Sequence, residues 1–314
     1  EGFVHVNATD NGVTPEDVPI LGDMDPDRTD VEMALRFNCM VKGSSEMGLQ
    51  RQKPFPFKFH NRHSNRPVPR PKRIILMRHG ESEGNRDELL YTQKPDWRIP
   101  LSQDGLYQSR FAGQEVKNIV GDEDVYLYHS PYSRTVQSCQ QIMHALDPGQ
   151  VRGIREEPRI AEQQFGNLQD LESLRRSKIE RRRYGRFFYR FPNGEAGLDV
   201  YSRISSFIGT IRRDHLEEDC NVVIVTHGLA LRLFLMRWFQ WTVEQFESTH
   251  NPPNCGLAVM HRDPRDGRYT LTEETLNMIG ADKAPTTSSI GRSMLRKAYV
   301  DAFLSVQEPG YDRY

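Results

Sequence analysis

Long apolar runs are missing from this sequence. No stretch approaches the ~18–20 consecutive apolar residues that a membrane-spanning helix needs, so the reading is a soluble protein without a membrane span. Paired-cysteine motifs are missing too. Cys39, Cys139, Cys220 and Cys255 form no CxxC and no His/Cys cluster at zinc spacing, which excludes a zinc-ribbon type of protein and leaves unpaired thiols suited to a reducing, cytoplasmic compartment. Net charge is nearly absent: 42 Lys and Arg against 43 Asp and Glu give −1. That balance argues against a nucleic-acid partner while leaving room for local basic patches. No repeat of roughly 20–50 residues is present. Acidic side chains do not gather around the histidine motifs as Mg²⁺ or Zn²⁺ ligands would, so neither metal nor cofactor is expected. The first residue is Glu1 rather than Met, so any leader is unreadable.

What is present divides into three parts. Residues 1–70 are polar and end in the Pro/Arg-rich KPFPFKFHNRHSNRPVPRPK, which reads as an extension or linker. Asn7-Ala8-Thr9 matches a glycosylation sequon, but such triplets arise by chance and the cysteine usage speaks against secretion. From Ile74 the character changes, with short apolar runs alternating with segments of helical spacing. Strands are predicted at Ile74–Arg78, Val125–His129, Val151–Glu156, Val222–Thr226 and Leu257–Arg262. Helices are predicted near Asp104–Val120, Ser133–Leu146, Leu171–Arg186, Leu198–His215 and Ala230–Trp238. The expected fold is α/β, a three-layer α/β/α sandwich on a mostly parallel sheet, with the catalytic domain over 71–265. Residues 266–314 form a second extension, in which Met294, Leu295, Ala298, Ala302, Phe303 and Val306 share one face of a helix near 293–306.

Two apolar strands run straight into a His-Gly pair, in RIILMRHGESEGN and NVVIVTHGLALR. Ligands of parallel α/β sheets collect at the carboxyl ends of strands, where the strand order reverses. Each histidine occupies such an end, and Gly80 and Gly228 allow a sharp turn into the next helix with backbone N–H groups close to an anion. A single histidine there would be polar punctuation; two with an adjoining arginine point to one pocket. Arg78 supplies a planar positive fork suited to phosphate oxygens. In HSPYSRT, Arg134 opens a helix after a strand end, which alone is an ordinary turn-and-cap sequence.

LMRHGESEGN, SPYSRT, RIAEQQFGNL and VTHGLALR, in this order and at these spacings, resemble the histidine phosphatase superfamily, in its phosphoglycerate-mutase-like branch, over roughly Lys72 to Asp263. REEPRIAEQQFGN, RRRYGRFFYRFPNGEA and FLMRWFQWTVEQFE are similar to a subgroup of small phosphatases of fungi, plants and protists. The resemblance implies that His79 attacks phosphorus as a neutral imidazole, its other ring nitrogen held by a backbone carbonyl. It implies that Arg78, Arg134 and His227 surround the phosphoryl oxygens with positive charge, that Asn85 contacts phosphate, and that Glu162 is the general acid. Glu81 and Ser82 are motif members without an assigned role.

The substrate is expected to be a phosphorylated small molecule or phosphoprotein. The basic run RRSKIERRRYGRFFYR, Arg175 to Arg190, carries one acid, Glu180, and is either a solvated helical face or the rim of the pocket. In PNGEAGLDV, Ala196 stands where related proteins commonly have Ser, which alters a substrate contact or the start of a helix. The function expected is a phosphomonoesterase working through phospho-His79. The alternatives are a mutase-type phosphoryl transfer and a non-catalytic protein that binds phosphorylated ligands; the oligomeric state is not readable.

Overall fold

The computed structural model describes residues 71–167, 170–215, 220–281 and 286. The sequon, Cys39 and the amphipathic segment near 293–306 lie outside them. The elements run β1 (Arg73–Arg78), α1 (Glu83–Arg86), α2 (Leu90–Gln93), a 3₁₀ turn at Asp96–Arg98, α3 (Gln103–Val120), β2 (Val125–His129), α4 (Ser133–Ala145) and β3 (Val151–Glu156). After a second 3₁₀ turn at Pro158–Ile160 come α5 (Leu171–Tyr184), α6 (Gly197–Asp214), β4 (Asn221–Thr226), α7 (Gly228–Phe239), α8 (Val243–Ser248), β5 (Leu257–Arg262), β6 (Tyr269–Leu271) and α9 (Glu273–Ile279).

The strands form one six-stranded sheet in the order β3-β2-β4-β1-β5-β6. The first four are parallel, and β5 and β6 add to the β1 side as antiparallel neighbours. Alternation sends Ile74, Leu76, Val222 and Ile224 to one face, where α6 and α7 cover them. Ile75, Met77, Val223 and Val225 point to the other, under α3 and α4. With helices on both faces, β4 has no solvent side, and all six of its residues are buried. Each such Val or Ile side chain contributes about 1.5–3 kcal/mol through burial. Helix α7 is buried on every side except at Arg237, as a helix hydrophobic all round must be.

The sequence expectation of a three-layer α/β fold with these five strands matches the structure. It omits β6, which continues the sheet beyond residue 265 through pairs such as Met260–Leu271. Three residues are too few to display an alternating pattern. It omits α1, α2, α8 and α9 for the same reason, since a helix of one or two turns shows no periodic stripe. Among the described residues no helix is long and apolar enough to cross a membrane.

Candidate active site

The strand order brings the carboxyl ends of β1 and β4 side by side. Arg78 pairs in register with Thr226, and the next amide, that of His79, donates to the Thr226 carbonyl at 2.9 Å. The two histidines that follow these strands therefore meet, with ring centroids 5.2 Å apart. Gly80 is required by space. A Cβ there would lie 2.5 Å from Ser109 Oγ and closer still to the Gly105 carbonyl oxygen. At Gly228, which opens α7, a Cβ would lie 2.8 Å from Asn251 Cγ. One expectation needs correction. Helix α1 begins at Glu83 rather than at Gly80, and the Gly80 amide donates to Ser138 Oγ at 3.0 Å, so it is not an anion donor.

His79 Nδ1 lies 2.6 Å from the Gly80 carbonyl, which places the proton on Nδ1 and leaves Nε2 with a lone pair. Burial, followed by Arg134 and Arg78, pushes the His79 pKa well below its usual value, so the ring is neutral at physiological pH. His227 is fully buried; its Nε2 lies 2.8 Å from Ser130 Oγ and its Nδ1 has no partner among the described residues. Burial, then Arg134 and His79, push its pKa down as well. Burial and the guanidinium groups of Arg134, Arg203 and Arg78 thus stand against a third positive charge at His227.

A cavity of about 260 Å³ opens in front of His79, lined among others by Arg78, Asn85, Tyr91, Asp96, Arg134 and Glu162. His227 is not in its wall and sits behind, in edge contact with His79 and Tyr132. Arg134 is buried; its Nη1 donates to Asp96 Oδ1 at 2.7 Å and to the Asp96 carbonyl at 2.9 Å, and its guanidinium lies over the Tyr132 ring. Arg78 Nη1 donates to the Pro252 carbonyl at 2.7 Å, and burial lowers its pKa. Asn85 Oδ1 accepts from the Ser82 amide and from Asn254 Nδ2, which leaves its Nδ2 as the donor on the pocket side. Ser82 caps α1. Glu81 is held by Ser102 and Arg86 and does not line the cavity.

Glu162 is partly buried in the cavity wall. Burial raises its carboxyl pKa, against the Gln163 N–H and Arg134, which lower it; Asp96 raises it further. The stretch carrying it is fixed from behind, since Arg203 Nη2 donates to the Glu162 carbonyl at 3.0 Å and pairs with Glu195. The basic run is split by its helix. Lys178 lines the cavity and pairs with Glu88 at 2.8 Å; Arg181 donates to Gln163 and packs on Phe165 and Phe191; Arg182 and Arg183 are exposed. Ala196 is the N-cap of α6 and makes no side-chain cap bond, so the missing hydroxyl bears on the helix start and not on the cavity wall.

Sequence reasoning missed the loop between α8 and β5. Besides the Pro252 carbonyl, Asn254 Nδ2 donates to the His79 carbonyl at 3.1 Å, and the Cys255 amide donates to the carbonyls of Arg78 and His79. Arg232, within VTHGLALR, is buried and binds Thr249, Phe246 and Asn251, which anchors that loop to α7. Asp96 was also missed, whereas Lys178 falls within the basic run expected either at the pocket rim or on a solvated face. Among the described residues no group of three His, Cys, Asp or Glu side chains is placed to hold a metal ion. A larger hollow of about 810 Å³ lies on the outer face of α3 and α4 around Tyr107, Phe111 and His144 and contains none of the motif residues.

A neutral histidine between two arginines, with a protonatable carboxyl alongside, gathered beyond the carboxyl ends of the parallel strands of an α/β sandwich, defines a phosphoryl-transfer enzyme. The chain belongs to the histidine phosphatase superfamily (branch 1), whose profile matches residues 74–275. It is 46% identical over 224 residues to the phosphoglycerate mutase-like protein AT74 of Arabidopsis thaliana, covering 66% of this chain and 71% of that one. It is 30% identical to the broad-range acid phosphatase DET1 of Saccharomyces cerevisiae, covering 64% and 89%. The fold is shared with a mycobacterial glucosyl-3-phosphoglycerate phosphatase at 19% identity and a TM-score of 0.52, covering 64% and 97%.

Proposed function

We propose that this chain is a phosphomonoesterase working through a phosphohistidine on His79. The observation that carries the reading is the neutral His79, its Nδ1 tied to the Gly80 carbonyl, set among Arg78 and Arg134. The Nε2 lone pair attacks phosphorus as the P–O bond to the leaving alcohol breaks, and the proton of Glu162 passes to the departing oxygen. Water then attacks phosphorus as the bond to His79 Nε2 breaks, Glu162 takes the water's proton, and inorganic phosphate leaves with His79 restored. Arg78, Arg134 and the Asn85 amide hold the equatorial oxygens, and His227 packs against the His79 ring from behind.

The small cavity suits low-molecular-weight phosphate esters. Cys139 and Cys255 take part in no disulfide among the described residues, which supports a cytoplasmic setting. The test is free-phosphate release from an aryl phosphate, with rapid quenching of turnover on labelled substrate. Wild type should yield acid-labile protein-bound phosphate and His79→Ala none; label retained by His79→Ala overturns the assignment. A mutase-type return of the phosphoryl group to a small acid would release no stoichiometric phosphate.

A further inference from the structure

Asp96 belongs to none of the recognised motifs, yet it places a carboxylate in the wall of the phosphate pocket. Its loop is not loosely attached. Ile99 is fully buried, the Leu101 amide donates to Gln137 Oε1 of α4 at 2.7 Å, and Arg134, in the first turn of α4, reaches back to both the backbone and side chain of Asp96. The Asp96 side chain is 16% exposed and that of Arg134 3%. Only Nη1 of the guanidinium is engaged this way, which fixes the plane of the fork while leaving Nε and Nη2 available to an anion.

The cost of this arrangement is a negative charge where a phosphate must bind. Of the cations in the cavity wall, Lys178 is paired with Glu88 and Arg134 with Asp96, whereas Arg78 is bonded only to a carbonyl. If the sole requirement were phosphate affinity, a neutral acceptor at 96 would serve better. We propose that Asp96 is a positioning residue with two effects: its oxygen orients Arg134 toward the phosphoryl group, and its carboxylate, in the same cavity wall as Glu162, offsets the arginine charge beside that acid. This rests on the phosphatase reading above. The groups facing Glu162 are Arg78, Arg134, Arg181, Asp96, Tyr91 and Tyr132, with Arg232 behind. Of the two other carboxylates in that cavity wall, Glu88 is tied to Lys178 and Arg175, and Asp96 is the one that acts against the arginines at Glu162.

Two variants separate the effects, because Asp96→Asn and Asp96→Ala carry the same charge and differ in the acceptor oxygen. Inorganic phosphate binding is measured by calorimetry, and kcat for an alkyl phosphate is measured against pH. Asp96→Asn should bind phosphate at least as tightly as wild type, with the alkaline fall of kcat moved to lower pH by roughly half a unit or more. Asp96→Ala should show the same pH displacement and bind phosphate about 3- to 10-fold more weakly than Asp96→Asn, the scale of one such hydrogen bond. An alkaline limb unmoved in Asp96→Asn, or equal phosphate affinity in the two variants, overturns the proposal. Phosphate affinity is read without turnover, so a failure of the phosphohistidine reading, detected with His79→Ala, is distinguishable from a failure here. Asp96→Asn is nearly isosteric and keeps the test valid if Asp96→Ala does not fold.

Discussion

Replacing Gly80 with Ala tests whether the turn after β1 sets the position of the nucleophile. The added Cβ would stand 2.5 Å from Ser109 Oγ, 3.1 Å from the Gly105 carbonyl carbon, and nearer still to its oxygen. An ordinary contact is about 3.4 Å or more, so the deficit is roughly 0.9 Å against Ser109 alone. Ser109 cannot simply swing away, since its hydroxyl is bonded to Ser138 Oγ, which also receives the Gly80 amide. The Gly105 carbonyl belongs to the first turn of an 18-residue helix and yields less. The turn must therefore shift by about an ångström and carry His79 with it, and a displacement on that scale costs about 100-fold in rate. Overpacking should lower stability by about 1–3 kcal/mol. The assays are kcat/KM for an aryl phosphate and urea unfolding. Gly209→Ala serves as control: its Cβ meets nothing closer than Arg213 Nη1 at 3.7 Å, and inside α6 it should stabilise by about 0.5–1 kcal/mol. If Gly80→Ala keeps kcat/KM within about 3-fold of wild type, the crowding argument is wrong.

Glu162→Gln should slow an alkyl phosphate at least 10-fold more than an aryl phosphate, whose anion leaves unaided. Because burial raises the Glu162 pKa, acid assistance is present below that value and lost as pH rises through it, so the alkaline fall of kcat for alkyl substrates should vanish in this variant; stopped assays across pH check both. Lys178→Gln should lower kcat/KM for multiply charged phosphates by about 2- to 5-fold at low salt, while Arg182→Gln/Arg183→Gln should leave it unchanged. Equal effects of the two changes would contradict the placement of the helix faces. Ala196→Ser supplies the absent cap of α6 and should stabilise by about 0.5–2 kcal/mol in urea titrations, with kcat unaltered.

The strands and the motif residues were legible because both are local. A run such as NVVIVT declares a strand buried on both faces, and the residue after it is at a strand end whatever the tertiary path. Bringing His79 and His227 together needed only the rule that adjacent parallel strands end together. Asp96 and Asn254 were not legible, because each acts through a loop whose course is set elsewhere. Asp96 reaches Arg134 38 residues later, and Asn254 reaches back 175 residues to His79. The basic run shows the same limit within one helix. Leu174, Lys178 and Arg181 fall on one face at helical spacing, but composition alone does not say that this face is turned inward.

The loop of residues 249–256 also links activity to the order of synthesis. Arg78, His79, Asn85, Arg134 and Glu162 are all encoded by residue 162, yet the carbonyl that holds Arg78, the amide that holds the backbone of Arg78 and His79, and the side chain that braces Asn85 come from Pro252, Cys255 and Asn254. His79 itself is bonded to β4, at Thr226. A growing polypeptide that has emerged only as far as α6 would have the nucleophile, both arginines and the acid, but no rigid frame around them. The last part of this frame to be synthesised is thus the stretch through Gly256, and a polypeptide that ends before it lacks the contacts of Pro252, Asn254 and Cys255.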